Sequence, residues 1–133
     1  MAGYSGKRLV AKLGIKSGST IAILGAPRGY ERTLGKLPHV RRSANAAGPL
    51  DFVQFFTKEK EELERRFAAL ARSLAPAGML WISWPKKASG VATDLTEDVI
   101  RAIGLARGLV DVKVAAVDEM WSGLKFVRRL KDR

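Results

Sequence analysis

Apolar residues fall along the chain in two rhythms. Residues 20–24 (TIAIL), 51–56 (DFVQFF) and 79–84 (MLWISW) are short runs, apolar on both faces and rich in β-branched and aromatic side chains. Strands buried in the interior of a sheet have this composition. Elsewhere apolar positions recur every three or four residues: Leu63, Phe67, Leu70 and Leu74 form one stripe, and Leu95, Val99, Ile103 and Ala106 another. Each predicts an amphipathic helix. Thr57 caps the first, which ends at Pro76 and Gly78; Asp94 and Glu97 are spaced as a capping box for the second, which stops at Gly108. Leu9, Val10 and Leu13 mark a shorter helix over residues 6–13, closed by Gly14, and a short helix starts from the Pro27 turn and runs to about Lys36. Residues 40–43 read as an edge strand followed by a loop. Residues 109–117 and 123–130 read as two strands joined through 118–122, short enough for an antiparallel hairpin.

Strands alternating with helices imply right-handed crossovers and a mostly parallel sheet covered on both faces, with the terminal hairpin as an antiparallel edge. Residues 1–133 fit one domain, and 47% apolar against 28% charged residues is enough to bury a core. No run approaches the roughly 20 apolar residues needed to cross a bilayer. No leader-like apolar stretch follows the first basic pair, so a cytoplasmic protein without a membrane partner is expected.

Composition removes whole chemistries. There is no cysteine and one histidine, His39, so thiol nucleophiles, disulfides, thiolate metal sites and multi-histidine metal sites are excluded. The net charge of +11 is uneven: residues 1–50 hold nine basic groups against one acid, Glu31. Such a balance points to an anionic partner: a small anion, an acidic protein surface or a nucleic acid. For a nucleic acid, Arg41, Arg42, Lys86, Lys87, Arg128, Arg129, Lys131 and Arg133 would be the phosphate contacts.

In open α/β sheets the ligand crevice lies beyond the carboxyl ends of the parallel strands. The candidates are therefore Gly25, Arg28, Gly29 and Tyr30 after the first strand, and Trp84, Lys86, Lys87, Ser89 and Gly90 after the strand that ends at Pro85. Paired lysines, a serine and a glycine could bind phosphate or carboxylate through ammonium, hydroxyl and backbone N–H groups, and Arg28 with Tyr30 could clamp an anion. Trp84 and Trp121 are placed at the rim, Trp81 in the core. Asp118 and Glu119, adjacent in sequence, are expected to shape a turn rather than act as an acid/base pair. No phosphate-binding loop, nucleophile elbow or metal-ligand cluster is present.

The layout resembles the class I methyltransferase variant of the Rossmann fold, whose sheet also finishes with an antiparallel hairpin. Residues 74–83 (LAPAGMLWIS) look like the turn and fifth strand of that family, and residues 51–53 (DFV) like the acid that opens its fourth. Residues 24–30 (LGAPRGY), 83–90 (SWPKKASG) with 93–97 (TDLTE), and 112–114 (VKV) through 121–125 (WSGLK) resemble the small bacterial domain of unknown function 3052 family, which implies no established activity. The methyltransferase resemblance implies an adenosyl cofactor held by a glycine-rich first loop and an acid after the second strand. Here the first loop offers two glycines and a proline, and residues 40–45 (VRRSAN) contain no acid. The expectation is a small non-catalytic domain, without a cofactor, that binds an anion or a partner at its strand-end rim. The alternatives are a reduced-size methyltransferase using S-adenosylmethionine and a sequence-independent nucleic-acid binder.

Overall fold

The computed structural model describes residues 8–133. The start of the first predicted helix, at residues 6 and 7, and most of the N-terminal stretch on which the leader expectation rests lie outside them. In chain order the elements are α1 (Leu9–Leu13), β1 (Thr20–Leu24), α2 (Tyr30–Leu34), β2 (Arg41–Ser43), β3 (Leu50–Phe56), α3 (Lys60–Arg72), β4 (Leu74–Pro85), α4 (Glu97–Ala106), β5 (Leu109–Ala116) and β6 (Trp121–Arg128). Six strands form one sheet in the order β2-β1-β3-β4-β6-β5. The first four run parallel, and β6 is antiparallel to both its neighbours. The predicted mostly parallel α/β sheet with a terminal antiparallel hairpin is therefore present, with one change. The antiparallel strand is slotted between β4 and β5, leaving β5 as the edge.

Alternation along β4 sorts the two cores. Leu80, Ile82 and Trp84 face α3 and α4 with Leu63, Phe67, Leu70, Ile100 and Phe126, while Trp81 faces α1 and α2 with Leu13, Ile21, Phe52 and Phe56. The fully buried Trp81 donates its indole N–H to the Leu13 carbonyl at 2.9 Å, using an acceptor that the end of α1 leaves open. Arg128 does the same at the end of α3, donating to the carbonyls of Ala71 and Leu74.

Several expectations about element ends are corrected. Leu74 belongs to β4 and not to the α3 stripe: it pairs with Leu50, and Pro76 and Gly78 sit within an irregular start of that strand. α3 has no side-chain cap of its own. Thr57 instead accepts from the Glu59 N–H, and the carboxylate meeting α3 is Asp94, which accepts from the Lys60 N–H at 2.8 Å. Asp94 is thus not the cap of α4, which is Thr96, accepting from the Val99 N–H. The buried face of α4 is accordingly Ile100, Ile103 and Gly104, rotated from the predicted stripe, with Ala106 exposed. Arg101 ties α4 to β5 by bonding Asp111 as well as Glu97 and Asp98.

Gly104 shows why α4 packs so closely. A Cβ there would come within 2.1 Å of the Phe126 ring. In an exposed helix Gly→Ala stabilises by about 1 kcal/mol. At this position the sign reverses, and Gly104→Ala should lower the unfolding free energy by about 1–3 kcal/mol, the usual cost of overpacking, as read from urea denaturation.

Candidate functional site

Because β1, β3 and β4 run parallel, their carboxyl ends meet on one rim. It is built from the loop at residues 25–29, the Thr57 turn, residues 86–90 and the β5–β6 turn, where Lys86 N–H donates to the Met120 carbonyl at 2.8 Å. The chain leaves β1 through Gly25, whose φ is +69° and whose Cβ position lies 2.8 Å from the Phe56 carbonyl oxygen. Both facts require glycine. Gly29 also has positive φ, +85°, and its Cβ side is open space. Arg28 between them is exposed.

Tyr30 does not join Arg28 as an anion clamp. It is buried, its hydroxyl donates to Gln54 Oε1 at 2.6 Å, and Gln54 Nε2 donates to Ser83 Oγ at 3.1 Å. Its ring stands edge-on to Phe56 at 4.7 Å, and Phe56 edge-on to Trp121 at 5.1 Å. Burial, with the nearby charges of Asp118 and Glu31, holds the Tyr30 phenol well above its usual range, so it stays a neutral donor. Below the rim there is thus a polar chain, Tyr30–Gln54–Ser83, crossing from β1's loop to β4. Sequence reasoning missed Gln54 and Ser83. The available signal was a polar residue interrupting each of two runs that otherwise read as buried strand, where a polar group must find a partner.

The second predicted loop is also partly structural. Trp84 is buried against α3 and α4, and Trp121 belongs to the opposite core, so neither offers a ring at the rim. The Ser89 hydroxyl donates to the Lys86 carbonyl at 2.6 Å and accepts from the Val91 N–H, and Gly90 closes the turn at φ +76°. That leaves the ammonium groups of Lys86 and the more exposed Lys87 as the charged contacts of this loop. Asp118 builds the neighbouring turn by accepting from the N–H groups of Met120 and Trp121, the role its sequence position suggested.

At the end of β2 the charge differs from expectation. Arg42 forms a two-pronged ion pair with Glu31 of α2, which pulls the Glu31 carboxyl below its usual range and cancels local positive charge. Neutral groups follow: Ser43 Oγ donates to the Asn45 carbonyl, and Asn45 Oδ1 accepts from the Ala47 N–H. Asp51, the acid at the start of β3, lies at the other end of the sheet and accepts from the Thr20 N–H at 2.9 Å. His39 also precedes its strand and is remote from the rim. Among the described residues, no helix is long and apolar enough to cross a membrane, and no three His, Asp or Glu gather to hold a metal.

No protein-family model matches the chain, and no curated protein does. Its likeness to known proteins is in three dimensions. A SAM-dependent methyltransferase from Aquifex aeolicus superposes with a TM-score of 0.62 at 16% identity, over 93% of this chain and 89% of the other. Magnesium protoporphyrin IX methyltransferase from Synechocystis, with bound SAH, gives 0.60 at 16% identity over 91% and 78%. A TehB-like SAM-dependent methyltransferase from Corynebacterium glutamicum gives 0.59 at 12% identity over 92% and 86%. The fold is that of the class I methyltransferases. These neighbours overturn the expectation of a non-catalytic anion-binding module and favour the methyltransferase alternative.

The polar chain generates a stability test. Tyr30→Phe leaves Gln54 Oε1 buried without its donor, so it should cost about 1–3 kcal/mol in chemical denaturation. Arg28→Ala, removing an exposed side chain from the same loop, should stay within about 0.5 kcal/mol of the parent.

Proposed function

We propose that this chain is a reduced-size methyltransferase that binds an adenosyl cofactor across the carboxyl ends of β1 and β3. The observation that carries this reading is the turn after β1. Gly25 is forced to glycine by the Phe56 carbonyl, and the open side of Gly29 leaves backbone accessible where an open α/β sheet takes its ligand. The loop residues fit such a group. Gly25 and Gly29 allow close backbone approach, exposed Arg28 can meet a carboxylate, and Ser43 with Asn45 replaces a ribose-binding acid by neutral polar groups. Bound there, the cofactor supplies an activated methyl group.

The protein's own part is positioning and proton handling. Phe56, Tyr30 and Trp121 give the rim an apolar, water-excluding floor. His39 precedes its strand and is remote from the rim, so a carboxylate is the side chain we assign to take a proton released by an acceptor. The candidate is Glu62 in the first turn of α3, which the hydroxyl of buried Thr57, the residue after β3, holds by donating to its carboxylate.

Calorimetric titration with S-adenosylhomocysteine tests the reading. Binding in the micromolar range, only modestly weakened between low and physiological salt, is the expected result, because Arg28 makes the one charged contact and the rest are to a glycine loop and neutral groups. Ala26→Trp, at an exposed position of that loop, should remove the heat with the melting temperature nearly unchanged. No heat at millimolar ligand would overturn the proposal.

A further inference from the structure

On the face of the sheet that carries α1, the outer strands hold charge that their packing does not require. β5 and β6 set Lys113 and Lys125 directly opposite one another, and like charges in that relation destabilise a strand pair. α1 adds to the same side: Lys113 Nζ donates to the Lys12 carbonyl at 3.0 Å. Lys16, just past α1, also acts on Lys125, so the row continues beyond that helix. Burial and the neighbouring ammonium groups, Lys113 first among them, hold both Lys12 and Lys125 below the ordinary lysine range. Among the described residues every ion pair is made by an arginine, Arg42 or Arg101, so no carboxylate closes on Lys113, Lys125 or Lys16.

We propose that this lysine row binds the phosphodiester backbone of a nucleic acid, DNA or RNA, without reading its bases. A row of like charges held together by backbone register has its repulsion relieved by a polyanion, and a protein with net charge +11 attracts one. Lysine is a point-charge contact for phosphate, whereas protein interfaces are depleted in lysine and enriched in arginine. No Phe, Tyr or Trp ring among the described residues is exposed, so none of them offers a platform for base stacking. The row lies on a sheet face, outside the strand-end crevice, and its occupancy needs no cofactor.

A fluorescent duplex of about twenty base pairs, prepared as DNA and as RNA, is titrated with the full chain by anisotropy at increasing salt. The logarithm of affinity should fall linearly with the logarithm of salt, with a slope of about −0.9 for each phosphate neutralised on DNA. Lys113→Glu should weaken binding about tenfold, to both duplexes alike, and flatten the slope by about one unit. Its melting temperature should stay near the parent's, since a carboxylate opposite Lys125 makes a favourable pair that offsets the lost bond to the Lys12 carbonyl. Arg129→Glu, in the basic C-terminal segment, should change affinity less than about twofold. The proposal fails if neither duplex binds at low salt, if Lys113→Glu binds as the parent does, or if Arg129→Glu carries the loss. It also fails if polyglutamate binds through Lys113 as tightly as the duplexes, which would make this face a site for acidic proteins.

Discussion

A strand buried on both faces must have both its edges hydrogen-bonded, because its N–H and C=O groups have no water to turn to. β4 is that strand, and β3 on one side and β6 on the other satisfy it. The sheet on either side follows from this constraint. β6 can reach β4 only by entering antiparallel between β4 and β5, which fixes the hairpin register and brings Phe126 under Gly104 on one face. On the other face it sets Gly123 against Trp81, where a Cβ would come 2.9 Å from the indole. The two helical layers then pack against side chains whose direction the alternation of β4 has already chosen.

The rim inherits its shape from the same arrangement. Parallel ends of β1, β3 and β4 converge, and the polar chain from Tyr30 through Gln54 to Ser83 stitches them together just beneath the loops. A buried network in which each member is bonded resists deformation, because losing any partner strands another in a dry interior. The loops above it are thus held on a rigid floor, while Arg28, Lys86 and Lys87 extend from that floor into solvent. A fixed base below and charged side chains above it is the arrangement that the proposed cofactor crevice requires, since a rigid floor sets the orientation of whatever binds.

Much of this was legible in the sequence, since periodicity reports burial and burial dictates the sheet. TIAIL, DFVQFF and MLWISW all lie in the strands their composition indicated, and the Leu63–Phe67–Leu70 stripe faces the core. What could not be read was set by contacts between distant segments. Asp94 has the spacing of a local cap, yet it serves Lys60, thirty-four residues away. Tyr30 follows a glycine and Trp84 comes just before the Pro85-Lys86-Lys87 turn, surroundings that suggest exposure, but their rings complete cores formed with other strands. Arg42 looked like free positive charge until α2 brought Glu31 against it. No local pattern reveals that Lys113 and Lys125 are opposite, because a register shift between Asp111 and Lys113 decides it.

That register shift also shapes the free border of the sheet. An open sheet has two free borders, and a long, flat border is a template for another chain's strand. Here one border is the three-residue β2, with Arg41 and Arg42, too short and too charged to seed much pairing. The other is the eight-residue β5, which exposes Val112 and Val114 and would be adhesive if it were straight. The irregularity beside Val112 interrupts its hydrogen-bonding rhythm and adds local twist, and Lys113 sets a charge next to the break. The same distortion that aligns the lysines across the hairpin therefore blunts the sheet's longer free edge as a template for another strand.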